Sequence, residues 1–234
     1  MTLPAGTTRP FRHFHDELSQ LKGRLLYMSR RAEDTIDLAV DALMTRDSAK
    51  AQAVIEGDVE LNNLEIEIEQ RAIELLALQQ PMAIDLRLII GAIKVSNDLE
   101  RVGDHAVNIA ESCLSFMDQP EVASMCPEIP EMARRARKML GDALDAFIRS
   151  DGALGRAVCS ADDEVDMLHD SVFRIMLTHM MEDPRLITPS LELLLVSRNL
   201  ERVADLATNI AEDAVYLAEA KLIKHHSEDF TTSR

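Results

Sequence analysis

The chain has 234 residues, 47% apolar and 28% charged, enough apolar material to pack one large domain or two small ones. Aromatic residues make up only 3%, there is no Trp, and eight Gly and eight Pro are too few for a turn-rich β protein, so the composition calls for helices packed through Leu, Ile, Val, Ala and Met. Acidic residues outnumber basic ones 41 to 25, and a formal charge of −16 weighs against nucleic acid and anionic lipid surfaces as partners.

The first ten residues carry Gly6 and Pro10 and no apolar period, and read as a tail. From Arg12 to Arg46 the apolar positions Leu18, Leu21, Leu25, Met28, Ala32, Ile36, Ala39 and Leu43 recur at steps of three and four, the stripe of an amphipathic helix. Asp47 or Ser48 can cap a second helix that runs to Leu78 and stops before Gln79-Gln80-Pro81. A third, from Asp85 to Phe116, carries the stripe Leu88, Ala92, Val95, Leu99, Val102, Ala106, Ile109 and Cys113. Pro120, Pro127 and Pro130 interrupt the pattern, after which helices are expected over Glu131–Arg149, Gly152–Met181 and Pro189–Ile223. The start lacks the apolar core of a signal peptide, and no apolar run approaches a membrane span, so a soluble cytoplasmic protein is expected. Cys113, Cys126 and Cys159 form no CxxC pair and indicate neither a disulfide framework nor a thiolate zinc site.

The six helices are two copies of three. Met28-Ser29-Arg30-Arg31-Ala32 returns as Met132-Ala133-Arg134-Arg135-Ala136, and at the same offset of 104 Asp41, Asp47 and Asp58 match Asp145, Asp151 and Asp162. Leu99-Glu100-Arg101-Val102 returns as Leu200-Glu201-Arg202-Val203 at an offset of 101, followed by Asn108-Ile109-Ala110-Glu111 and Asn209-Ile210-Ala211-Glu212. The change of offset falls between the second and third helices, where a loop absorbs it. The expected fold class is therefore all-α, two tandem three-helix bundles: 11–118, a linker over 119–130, and 131–223, with tails at 1–10 and 224–234.

The third helix of each copy carries Glu-x-x-x-Asp-x-x-x-Asn: Glu100, Asp104 and Asn108, then Glu201, Asp205 and Asn209. Steps of four advance only ~40° around a helix, so each trio lies on one ridge. In the heptad frame of Leu99 and Val102 that ridge points away from the apolar seam. The second helix adds Asp58, Asn62, Glu65 and Glu69 in one copy and Asp162, Asp166 and His169 in the other. Together they make an oxygen-rich patch on the outside of each bundle, suited to Mg²⁺, Mn²⁺ or iron, and through His169 to zinc. A solvated acidic face is the plainer reading of one copy. Acidic residues four apart repel one another on a helix, and their recurrence in the second copy favours the cation.

At these residues the sequence resembles the PhoU family. The resemblance rests on Leu76-Ala77-Leu78-Gln79-Gln80-Pro81, on Asp85-Leu86-Arg87, on the two Leu-Glu-Arg-Val segments with their downstream Asp and Asn, and on the opening Phe14-His15-Asp16-Glu17-Leu18. It implies two three-helix bundles side by side, with metal ions (iron, zinc, manganese or magnesium) at the acidic motifs. Carried over, one site is Glu100, Asp104 and Asn108 and the other Glu201, Asp205 and Asn209, with Asp58, Asn62, Asp162 and Asp166 as contributors. The second copy departs from the first at Ala204 and Leu206, where the first has Gly103 and His105. The resemblance further implies a cytoplasmic negative regulator of the phosphate-starvation response. Such a protein links the phosphate ABC transporter to a sensor histidine kinase, meets the membrane only through those partners, binds no nucleic acid, and is compatible with a homodimer.

The main alternative is a carboxylate-bridged metalloenzyme, which would hold Glu and Glu-x-x-His ligands inside the bundle. No paired Glu-x-x-His exists, and Asp166-x-x-His169 alone comes near it. A metal-binding helical scaffold is the other alternative. No nucleophile or general base can be nominated, so the expectation is that the protein is not an enzyme.

Overall fold

A computed structural model describes residues 9–115, 117 and 126–220, with side chains from Phe14 onward. Residues 1–8 of the expected first tail, 119–125 of the expected linker and the whole expected second tail lie outside the described residues. The order is α1 (Arg9–Thr45), α2 (Ser48–Gln79), α3 (Ala83–Ser115), α4 (Glu128–Arg149), α5 (Gly152–Glu182), a 3₁₀ turn (Pro184–Leu186) and α6 (Ile187–Glu219). Helices α1, α2 and α3 pack on one another, as do α4, α5 and α6.

The two stripes read from the sequence are the cores of the first bundle. Leu21, Leu25, Met28, Ala32, Ile36, Ala39 and Leu43 of α1 and Ala92, Val95, Leu99, Val102, Ala106, Ile109 and Cys113 of α3 are all fully buried. Helix ends are set by the same device in both copies. Arg46 and Ser150 adopt left-handed backbone at φ 52° and 54°. The N–H groups that follow, of Asp47 and Asp151, reach back to the carbonyls of Ala42 and Ala146 at 2.9 and 2.8 Å, closing Schellman turns without glycine. The same aspartates cap the next helix: Asp47 accepts from the N–H of Ala49 and Lys50, and Asp151 from that of Leu154.

Helix α4 starts at Glu128, three residues before the expected Glu131, and takes Pro130 into its first turn. A first-turn residue needs no intrahelical donor, so proline is tolerated there. The change of repeat register falls at the second turn of each bundle. Left-handed Gln80 and then Pro81 end α2. In the second bundle Asp183 instead caps the short Pro184–Leu186 turn.

The bundles meet through α3 against α6 and α1 against α4. Both pairs run antiparallel: Lys94 meets Asp213 at 3.2 Å while His105 meets Asn199 at 2.9 Å. Shifting a contact by the repeat offset reproduces another. Glu33 lies 3.6 Å from where a Cβ on Gly141 would stand, and the equivalent pair, Arg137 with Asp37, is an ion pair at 2.8 Å. The seam therefore has an approximate two-fold axis, like the interface of a homodimer. Phe147 of α4 is its largest plug, fully buried with its ring against Gly91 of α3.

Candidate cation sites on the acidic ridges

In the first bundle the ridge of α3 faces the polar edge of α2. Asn62 donates to Asp58 (Nδ2 to Oδ2, 2.9 Å), and Asn97 donates to Glu65 (Nδ2 to Oε1, 3.2 Å). The free oxygens of this arrangement have nothing to bind: Oδ1 of Asp58 and Oδ1 of Asn62 are buried without a hydrogen-bond partner. Burial pushes the Asp58 carboxyl up, the bond from Asn62 opposes that, and the charge of Asp104 adds to it. Glu100 is pushed up by burial and then by Asp104, Glu65 and Asp58. Four carboxylates thus share one edge, and the crowding is felt at Asp58 and Glu100.

Gly103 makes the crowding feasible. A Cβ there would stand 2.6 Å from Cδ1 of Leu61 and 3.1 Å from Oδ1 of Asp58. With only hydrogen at this position, α2 closes onto α3 and the Asp58 carboxylate settles against the α3 backbone. In the second bundle Ala204 and Val165 stand at the two equivalent positions, both fully buried. A methyl gained on α6 is matched by a carbon lost from α5.

The second cluster is the more strained. Asp162 is pushed up to about 6 by burial and by the charges of Asp166, Asp205, Asp163 and Glu201. Its Oδ1 is also buried without a partner. Asp166 is raised by burial, Glu201, Asp205 and Asp163, and lowered by His169. One relief is present: Arg202 donates to Asp205 at 2.8 Å.

Of the sequence-predicted residues, Asp58, Asn62, Glu100 and Asp104 come together, as do Asp162, Asp166, Glu201 and Asp205. Asn108 goes elsewhere: its Nδ2 faces Oδ1 of Asn199 at 3.4 Å, in a cleft between the bundles lined also by Glu111, Ser112 and Glu192. Asn209 is exposed. The residues that sequence reasoning passed over are Asn97, which orients Glu65, and Asp163, which raises Asp162. Asn97 lies one helical turn before Glu100 on the ridge side, and that spacing was the available signal.

With the side chains as they stand, no three His, Cys, Asp or Glu among the described residues converge into a finished ligand set. The donors nevertheless suit a cation: carboxylate and amide oxygens, three of them buried and unsatisfied, in a field that a positive charge would relieve. The bundle interiors offer no alternative. Among the described residues the only buried acidic side chain is Asp213, on the seam and paired with Lys94, so the interior carboxylates of a di-metal enzyme are lacking.

Fold and ridges together define a duplicated three-helix bundle with an acidic cluster on each copy. The PhoU domain family model matches residues 25–113 and 129–214, one match per bundle, and the chain belongs to the PhoU family. It is 40% identical over 206 residues to the phosphate-specific transport system accessory protein PhoU homolog of Caulobacter vibrioides, covering 88% of this chain and 90% of that one. The Pseudomonas aeruginosa homolog is 38% identical over 212 residues, 91% and 88% of the two chains. The crystal structure of PhoU from P. aeruginosa superposes with a TM-score of 0.83 at 37% identity, over 89% of this chain and 100% of that one. The phosphate transport system regulatory protein PhoU of Streptococcus pneumoniae does so with 0.83 at 29% identity, over 90% and 99%.

Proposed function

We propose that this protein is an accessory regulator of phosphate uptake that holds the phosphate-starvation response off by coupling the phosphate ABC transporter to a sensor histidine kinase. The observation that carries the reading is membership of a family whose relatives are named as accessory proteins of phosphate-specific transport, across nearly the full length of both chains. A protein of this kind works by binding one state of its partner better than another, which needs surface rather than a reaction centre. Exposed apolar side chains at the ends of both bundles, Leu78, Met82, Ile84 and Leu86 on one and Met181, Ile187 and Leu191 on the other, offer such surface. No helix among the described residues is long and apolar enough to cross a membrane, which fits contact with membrane partners from the cytoplasmic side.

In the same reading the ridges hold metal ions, with iron, zinc, manganese and magnesium as candidates. Asp58, Glu100 and Asp104, with the Asn62 amide, would hold one; Asp162, Asp166, Glu201 and Asp205 would hold the other. A bound ion supplies positive charge. The chain's own residues position it: Gly103 brings Asp58 to α3, and Asn97 turns Glu65.

Depletion of the protein in its native cell under abundant phosphate tests the reading, with alkaline phosphatase as readout and a Glu100/Asp104/Glu201/Asp205 alanine version as a rescue arm. High phosphatase on depletion is the expected result. If the folded alanine version fails to rescue, the ridges belong to the mechanism. Unchanged phosphatase on depletion would sink the regulatory reading.

A further inference from the structure

Helix α2 is apolar on two faces. Leu61, Leu64, Ile68, Ala72 and Leu75 are buried in its own bundle. Val59, Ile66 and Ile73 point the other way, each more than half exposed. A helix with one solvent face carries its apolar residues in one stripe, and apolar residues on both faces mark a helix covered on both sides.

Folding does not call for the outer three. β-Branched side chains form helices less well than Ala, Lys or Glu, and at exposed positions no packing compensates. The repeat supplies an internal control. At the offset of 104 the second bundle carries Asp163, Asp170 and Leu177, on a helix with the same place in its own bundle. The exposed apolar residues of α5, Met167, Phe173, Leu177 and Met181, follow spacings of six, four and four and share no seven-residue period.

Spacing and charge identify what covers the stripe. Seven residues make two turns of a helix under-wound to about 3.5 residues per turn. A line with that period stays against a second helix coiled around the first, here over about 21 Å. In the heptad frame that puts Val59, Ile66 and Ile73 at d, the a positions Glu56, Asn63, Gln70 and Ala77 are all exposed. The e positions are Glu60, Glu67 and Glu74. Arg31 and Arg24 of α1 pair with Glu60 and Glu67. Glu74, and Glu69 at g, form no ion pair among the described residues. A second copy of the chain would set e against e in an antiparallel pair and e against g in a parallel one, glutamate on glutamate in both. A helix flanked by Lys or Arg meets opposite charge instead, and the net charge of −16 draws it in.

We propose that the outer face of α2 is the docking surface for a basic amphipathic helix of a partner protein, which lays its apolar seam on Val59, Ile66 and Ile73 and its cations among the flanking glutamates. The proposal rests on the reading of the protein as a regulator that works by binding, and adds the surface and the chemistry of the partner.

The probe is a synthetic peptide of three heptads, Ile at a, Leu at d and Lys at e and g, labelled for fluorescence anisotropy and titrated with the full-length protein. Like charges keep the peptide from pairing with itself. The Lys peptide should bind, and a control peptide with Glu at e and g should not. Val59→Asp with Ile66→Asp, which installs the second bundle's residues, should weaken binding by about tenfold or more although it makes the surface more acidic. Val59→Gln with Ile66→Gln, which leaves the charge alone, should do the same, and melts check that both variants fold. If the aspartate variant binds as tightly as the parent, attraction is by charge alone and the proposal fails. It fails also if sedimentation shows a parent dimer that these substitutions dissolve, since the face then belongs to a second copy. In depleted cells under abundant phosphate the glutamine variant should leave alkaline phosphatase high. Full restoration by that variant overturns the proposal and leaves the regulatory reading standing. Phosphatase unchanged by depletion sinks the regulatory reading, and the peptide titration then decides the proposal by itself.

Discussion

Glu33 and Arg137 occupy the same position in the two repeats and meet each other on the approximate two-fold axis, Oε2 to Nε 3.6 Å. Burial nevertheless raises the Glu33 carboxyl, and the opposing pulls of Ser29 and Arg137 do not cancel it. The pair therefore does not offset the cost of desolvating the acid, the usual balance for a partly buried ion pair.

Glu33→Gln should accordingly change stability by less than about 1 kcal/mol at pH 7. A raised carboxyl contributes stability that is fully present below its unfolded value and lost as pH rises through the folded one. The variant should therefore gain on the parent as pH climbs from about 4 to 7. Arg137→Glu sets an acid against Glu33 and Asp37 and should cost about 1–2 kcal/mol, allowing for solvent at the half-exposed Arg137. Urea melts at several pH values read both. A large loss in Glu33→Gln would show the pair to be stabilising after all.

Gly103→Ala drives a methyl into Leu61 and should cost about 1–3 kcal/mol. Adding Leu61→Val recreates the Ala204/Val165 pairing of the second bundle and should recover most of the loss. If the double variant is no better than the single, the two seams are not interchangeable and the compensation argument is wrong.

Asp162, held near 6, titrates close to neutrality. Its protonated form is favoured by the fold, so its contribution is full below the unfolded value, fades as pH rises through about 6, and is absent above it. Metal-free protein should melt lower at pH 7.5 than at pH 5, and Asp162→Asn should shrink that difference. Added Mn²⁺ or Zn²⁺ should raise the parent's melting point at pH 7.5 and raise that of the variant less. Identical pH profiles for parent and variant would remove Asp162 as the source.

Much of this was legible beforehand, for reasons visible in particular residues. The stripes of α1 and α3 follow from spacing alone, because the apolar face each turns to its own bundle recurs at steps of three and four. The cap at Asp47 is local chemistry and was readable as such, while Asp151 was legible only as its repeat counterpart. The start of α4 was not, since Pro130 reads as a break until it is seen in a first turn. Asn108 continues the ridge by its spacing and yet turns to Asn199, because periodicity within one helix carries no information about a second bundle. The differences at Gly103 and Ala204 were visible as differences; that Leu61 and Val165 answer them required the packing.

Phe147→Ala tests the seam. The ring is fully buried and lies over Gly91, so its loss should cost about 3–5 kcal/mol. Because the cavity opens between the bundles, hydrogen exchange should rise along α3 and α4 more than along α2. An even rise over the whole chain would mean that the bundles unfold as one body.

The inverted charge at Glu33 and Arg137 has a consequence for recognition between copies of the chain. A seam with two-fold character could in principle join any repeat to any other. Two first repeats docked in this way would bring Glu33 onto Glu33, and two second repeats would bring Arg137 onto Arg137, each a repulsion at the axis itself. Only unlike halves find opposite charges there. An interaction that adds little to stability thereby tells each half which partner to accept, and the half it accepts is already tethered to it by the same chain.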